Sequence, residues 1–212
     1  MKTNMLTSGF NNGFPSEFAQ QLQRILTKRE FFVFLASEFE HIHQKTDRYF
    51  NLFLDMFMDC GIQFNRACVV DSRMSIEKAH QVVASADVLW LAGGDTINQI
   101  HNIKEYGLIP VIQSRSGITI GMSAGSINMA KTAVCTVTCG HEEQSIYEGL
   151  GLVDLSVEPH FNSRNISDEL LQISQDYPLY GMCDDSVIIC EDGKTTYIGD
   201  IYYISRGNVK LI

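Results

Sequence analysis

Gly121-Met122-Ser123-Ala124-Gly125-Ser126 is a G-x-S-x-G pattern, with an apolar run (Gly117 to Gly121) before it and a helix-compatible run (Ile127 to Ala130) after it. In a nucleophile elbow the central serine sits on a strained turn between strand and helix. Its flanking glycines let neighbouring backbone approach, and the helix N-terminus offers N–H groups to a developing oxyanion. The chemistry implied is acyl transfer by a serine. A Gly-rich turn can carry the same letters by chance, but the context on both sides favours the elbow.

A serine hydroxyl is a poor nucleophile until a base takes its proton. Of six histidines, His41 and His43 fall in a loop or helix start, while His80 and His101 fall on helices, where surface or packing roles suffice. His141 opens His141-Glu142-Glu143, which lacks the second histidine of an H-E-x-x-H zinc helix. His160, in Glu158-Pro159-His160-Phe161-Asn162, follows a predicted strand, and catalytic groups gather at such strand ends in open α/β sheets. The acid that orients it has two sources. An α/β-hydrolase order would take it from between serine and histidine, for example Asp154. The other order points to Asp184 or Asp185 in Gly181-Met182-Cys183-Asp184-Asp185-Ser186, where two carboxylates also suit a solvated turn.

These residues need a scaffold, and hydrophobic periodicity supplies one. Strand-like runs near residues 5–7, 31–36, 67–70, 88–92 and 117–121 alternate with helical spacing over 16–28, 47–60, 75–85 and 96–106. The expected fold is α/β, a three-layer sandwich with a largely parallel central sheet. An apolar segment passes through Ile109 and Val111. Beyond the elbow, 151–157 and 181–190 read as strands around a helix near 167–175. Runs at 195–198 and 201–205, with turns at Asp192-Gly193 and Arg206-Gly207-Asn208, predict antiparallel strands at the C-terminus. No linker, repeat or low-complexity tract divides the chain, so residues 1–212 read as a single domain.

Composition narrows the partners. Sixteen Lys+Arg against 25 Asp+Glu give a net charge of −9, which repels phosphate backbones and anionic lipid. Nucleic acid and membrane are not expected partners. Residues 1–10 lack the apolar core of a secretory signal, and no run approaches the ~18 apolar residues of a membrane span, so a cytoplasmic location is expected. The six cysteines include no C-x-x-C pair and read as reduced, mostly buried thiols.

Taken together, the strand entering Ala92-Gly93-Gly94-Asp95-Thr96, the elbow at Ser123 and Pro159-His160-Phe161 resemble the dipeptidase E and cyanophycinase family of serine peptidases. The resemblance runs nearly end to end. It implies a class I glutamine amidotransferase-like fold with serine replacing the usual cysteine nucleophile. It maps the oxyanion hole onto the backbone N–H groups of Gly94 and Ala124, and the catalytic histidine onto His160. The family's third residue is generally a glutamate, and alignment on Gly181 puts Asp184 in that place. Because aspartate is one methylene shorter, the backbone must come closer, Asp185 must substitute, or the triad is weakly coupled.

Cyanophycinase-type members carry several arginines after the histidine, whereas this chain has Arg164 and then Ile166 and Glu169. One guanidinium can still clamp one carboxylate. The implied substrate is a small peptide, first of all one with an N-terminal aspartyl residue read by Arg164, with no cofactor and no metal, in a monomer or homodimer. Three other readings compete. One is a serine esterase, although no HGGG-type loop precedes the elbow. Another is an amidotransferase-like protein that binds a small molecule or partner without turnover. The third is a phosphate cradle at Gly93-Gly94-Asp95-Thr96, which matches neither G-x-G-x-x-G nor a P-loop.

Overall fold

The computed structural model describes residues 2–140 and 143–212, so His141 and Glu142 lie outside the described residues. From the N-terminus the chain runs β1 (Lys2–Thr7), α1 (Ser16–Ile25), β2 (Phe31–Leu35), α2 (His43–Asp59), β3 (Arg66–Val70), α3 (Ile76–Ser85), β4 (Val88–Leu91), α4 (Thr96–Glu105), α5 (Ile109–Ser114), β5 (Gly117–Met122) and α6 (Ala124–Met129). It continues through β6 (Thr132–Cys135), β7 (Ser145–Glu148), β8 (Ser156–Pro159), α7 (Asp168–Ile173), β9 (Leu179–Met182), β10 (Val187–Glu191), β11 (Lys194–Ile198), β12 (Ile201–Ser205) and β13 (Asn208–Leu211). Short polar side chains cap the starts of α3, α4 and α7. Ser75, Asp95 and Ser167 accept the N–H groups of Lys78, Asn98 and Leu170, satisfying donors that have no partner within the helix.

The large sheet has the order β11-β10-β1-β5-β4-β2-β3. Strands β1 to β5 are mutually parallel, and β10 and β11 close one side antiparallel. Its strands are apolar on both faces because both faces are covered. Met5, Phe32, Phe34, Val88, Trp90 and Ile120 pack with α1 and α2 through Phe18, Leu22, Phe53 and Phe57. The alternate residues Leu6, Val33, Leu35, Leu89 and Leu91 pack with α3 to α6 through Val83, Ile103, Ile112 and Ile127. This is the expected three-layer arrangement. Trp90 is fully buried, with its ring centroid 4.3 Å from that of Phe53. Among the described residues, no helix is long and apolar enough to cross a membrane. Cys60, Cys68, Cys183 and Cys190 are free thiols, as expected, but only partly buried rather than mostly buried.

Two expected strands differ from the sequence-based reading, and two other segments are assigned neither helix nor strand by it. The apolar stretch through Ile109 and Val111 is helix α5, with Pro110 in its first turn, where the missing N–H costs nothing. Within 151–157 only the end is strand. Gly151, Leu152 and Val153 instead give their N–H groups to Ala130 and Met129 at the end of α6, and Gly151 turns at φ +62°. The expected strand 181–190 is divided by the turn at 183–186. Its first part, β9, lies in a second sheet of order β13-β12-β9-β8, and its second part, β10, in the large sheet. The β6–β7 hairpin, paired from Thr132↔Glu148 to Cys135↔Ser145, is absent from the sequence-based reading.

Strand β8 is parallel to β9 and delivers His160 from the small sheet to the carboxyl ends of β1 and β5 in the large one. It carries Glu158, a carboxyl only 3% exposed that accepts hydrogen bonds from the Thr136 and Thr138 hydroxyls. Burial pushes its pKa above the usual carboxylate range, the threonine hydroxyls partly oppose this, and nearby Glu169 adds to it. Folding therefore favours the protonated form relative to the unfolded chain, and stability falls as pH rises from the unfolded-state value toward the folded one. Glu158→Gln should raise the thermal midpoint relative to wild type by an amount that is negligible below the ordinary glutamate pKa and grows as pH rises above it. Melting curves on both sides of that value would check it, and a pH-independent difference would contradict it.

Candidate active site

Three parallel strands end side by side at the elbow, with β5 between β1 and β4. As β5 passes into α6, Ser123 takes φ +48° and ψ −108°, a conformation that L residues rarely adopt and that costs about 1–3 kcal/mol. Its neighbours hold it there. Ser123 N–H donates to Thr7 O at 2.9 Å, and the Ser126 hydroxyl, fully buried, accepts from Thr7 N–H at 2.9 Å while its oxygen lies 2.7 Å from Gly121 O. The pattern glycines are required by close approach. A methyl group built on Gly125 would lie 2.2 Å from Leu91 O, and one on Gly121 would lie 2.6 Å from Ser126 N.

The histidine arrives from the other sheet. His160 itself has φ +55°, and the next residue, Phe161, is buried and donates its N–H to Met182 O at 2.9 Å. Its imidazole Nε2 lies 3.0 Å from Ser123 Oγ, and its Nδ1 lies 2.7 Å from Asp184 Oδ1. A carboxylate only accepts, so the hydrogen between Nδ1 and Asp184 is carried by the ring, which leaves Nε2 free to accept from the serine hydroxyl. The shorter acid therefore reaches the ring directly. Asp185 points elsewhere and accepts the Asn11 backbone and side-chain N–H groups at 2.9 and 3.0 Å. Asp154 lines a different groove, with Leu155, Tyr177 and Tyr203.

The other described histidines have local partners. His43 Nε2 lies 2.8 Å from Phe39 O and His80 Nε2 lies 2.6 Å from Tyr106 O, while His41 and His101 sit beside Glu40 and Glu105 on the surface.

The Gly93-Gly94 loop closes over the serine. A methyl on Gly93 would stand 3.5 Å from Ser123 Cβ, and one on Gly94, whose φ is +138°, would stand 2.2 Å from Ser37 Oγ. Gln99 Nε2 fixes the loop's start by donating to Ala92 O at 2.8 Å. Ala124 opens α6, so its N–H is one of the first-turn donors without an intrahelical acceptor.

Two openings meet at His160. One is a cavity of about 440 Å³ that contains Ser123 and is walled by the Gly93-Gly94 loop, Tyr49, Glu38, Asp95 and Lys45. The other is a groove of about 460 Å³ formed by Phe161 to Arg164, Cys183 and Asp184. Arg164 thus shares a groove with the imidazole and its acid and lies outside the serine cavity. Glu38 and Lys45 were not legible as site residues, because no motif near them in sequence marks them; Glu38 lies just past the end of β2, and Lys45 comes in on the first turn of α2. Among the described residues, no group of three His, Cys, Asp or Glu side chains is arranged to hold a metal ion.

Residues 5–198 match the family model described as peptidase family S51. A peptidase E from Nostoc sp. is 24% identical over 195 residues, covering 84% of this chain and 75% of the relative. A peptidase E from Shewanella amazonensis is 28% identical over 146 residues, covering 61% of this chain and 62% of that protein. In fold, the chain is similar to the crystal structure of a peptidase from an acI-B1 Actinobacterium, with a TM-score of 0.74 at 17% identity, covering 100% of this chain and 94% of that one. With a family match across nearly its whole length, the chain belongs to peptidase family S51 and is a serine peptidase.

Proposed function

We propose that residues 1–212 act as one peptidase unit, an aspartyl dipeptidase-like exopeptidase in which Ser123, His160 and Asp184 form the catalytic triad. The observation that carries this reading is the unbroken line of contacts from Ser123 Oγ through both imidazole nitrogens to Asp184, at 3.0 and 2.7 Å. Ser123 Oγ attacks the peptide carbonyl while His160 Nε2 takes its proton, and Asp184 stabilises the imidazolium. The tetrahedral oxyanion is held by the N–H groups of Gly94 and Ala124; losing one such donor typically costs about 3 to 4 kcal/mol of barrier. His160 then gives its proton to the leaving amine, and a water, deprotonated by the same nitrogen, releases the acyl group from Ser123.

Small peptides suit the two openings that meet at the imidazole. Arg164 is the cation in the groove beside His160 and Asp184, and we assign it to the aspartyl side-chain carboxylate of the substrate. The net charge of −9 does not draw an acidic peptide in, so the attraction must be local.

A panel of Asp-X, Glu-X, β-Asp-X and neutral dipeptides tests the reading. Wild type should hydrolyse Asp-X, and Ser123→Ala should lose about 10⁴-fold or more of the rate. Hydrolysis that survives the substitution would reject the mechanism. Arg164→Ala should raise the KM for Asp-X by about 10- to 100-fold, the loss of one charge-assisted hydrogen bond, and leave neutral dipeptides unchanged. An equal effect on both substrate classes would remove Arg164 from the specificity site.

A further inference from the structure

His160 and Asp184 are both held by the residues that follow β1. Ser8 is fully buried, and its hydroxyl makes two contacts: it accepts the His160 backbone N–H at 2.7 Å and donates to Asp184 Oδ1 at 3.2 Å. That oxygen thus faces two donors, the Ser8 hydroxyl and the imidazole Nδ1–H. The same segment is stitched to the acid turn by backbone. Ser8 N–H donates to Ser186 O at 3.3 Å and Asp185 N–H donates to Gly9 O at 2.7 Å. Asp185 adds its two bonds to Asn11. Gly9 leaves no room to spare, since a methyl built on it would lie 2.8 Å from His160 Cε1 and 2.9 Å from Asp184 Oδ1.

We infer that Ser8 and Gly9 are positioning residues for the hydrolytic reaction: the Ser8 hydroxyl fixes the strained His160 backbone and the carboxylate rotamer together, and Gly9 lets the ring and acid seat against the chain. His160 has φ +55°, which its own side chain does not favour, so an external hydrogen bond to its N–H is what stabilises that turn. Asp184 has one fewer rotatable bond than glutamate and reaches Nδ1 only because the 183–186 turn is drawn against the end of β1. Neither residue touches the reacting atoms. Their effect passes through the orientation of the base, and small misplacements of a catalytic group are costly. Ser8 lies 115 residues before the nucleophile and is invisible to any local motif.

The inference rests on the proposed triad, so the test includes Asp184→Asn. With the best dipeptide substrate, Ser8→Ala and Gly9→Ala should each lower kcat at least tenfold with KM within twofold of wild type. The downfield proton resonance of His160 Nδ1–H should shift or broaden in both. Ser8→Thr, which keeps the hydroxyl, should recover most of kcat. Gly9 is only partly buried and has no positive φ, so its alanine variant provides a folded test even if Ser8→Ala does not fold. Wild-type kcat and an unchanged resonance in Ser8→Ala and Gly9→Ala, with Asp184→Asn inactive, would overturn the positioning role alone. Equal losses in Ser8→Ala and Ser8→Thr would assign the effect of Ser8 to packing and overturn the role of its hydroxyl. A fully active Asp184→Asn would overturn the triad, and the positioning role with it.

Discussion

The backbone at Ser123 is the constraint on which the rest of the site depends. A residue with φ +48° between a strand and a helix is unfavourable by itself and persists only where its surroundings over-determine it. Here they do so from three directions. Thr7 at the end of β1 takes the Ser123 N–H, Ser126 ties the first turn of α6 back to β1, and Leu91 at the end of β4 presses against Gly125. The strained turn raises the hydroxyl above the carboxyl ends of the parallel strands. Without that lift Ser123 would be one more residue at a helix start, and a base brought near it would have nothing to deprotonate at the surface.

The large sheet carries Ser123 and the loop over it, while the small sheet carries His160. Asp184 sits in the turn that joins them, since β9 belongs to the small sheet and β10 to the large one. The two sheets therefore need a fixed relation, and Asp184 lies at the point where that relation is set. This placement accounts for an aspartate that reaches the imidazole at 2.7 Å. The openings on either side of His160 carry different charged groups. Glu38, Asp95 and Lys45 line the cavity around Ser123, and Arg164 lines the groove beyond the ring.

Much of this was legible in the residues. Short apolar runs marked the five parallel strands, because both faces of the sheet are buried, and period-3.6 spacing marked most of the helices around them. The elbow was legible because its glycines answer to local backbone crowding. His160 was legible by its place after a strand, although that strand lies in the smaller sheet. What local pattern could not carry was decided by tertiary contacts. Gly151 to Val153 bond to the end of α6, α5 forms around Pro110, and the choice between Asp184 and Asp185 depends on which carboxylate faces the ring and which faces Asn11. Lys45 is in the same position, since only the packing of α2 against the sheet takes it to the site.

The central claim is that one hydroxyl is activated by one imidazole, and covalent labelling reads it most directly. Treating the protein with a fluorophosphonate and mapping the adduct by peptide mass spectrometry should give a single modification at Ser123, formed far more slowly in His160→Gln. An unmodified Ser123, or a labelling rate that is the same with and without the imidazole, would contradict the account.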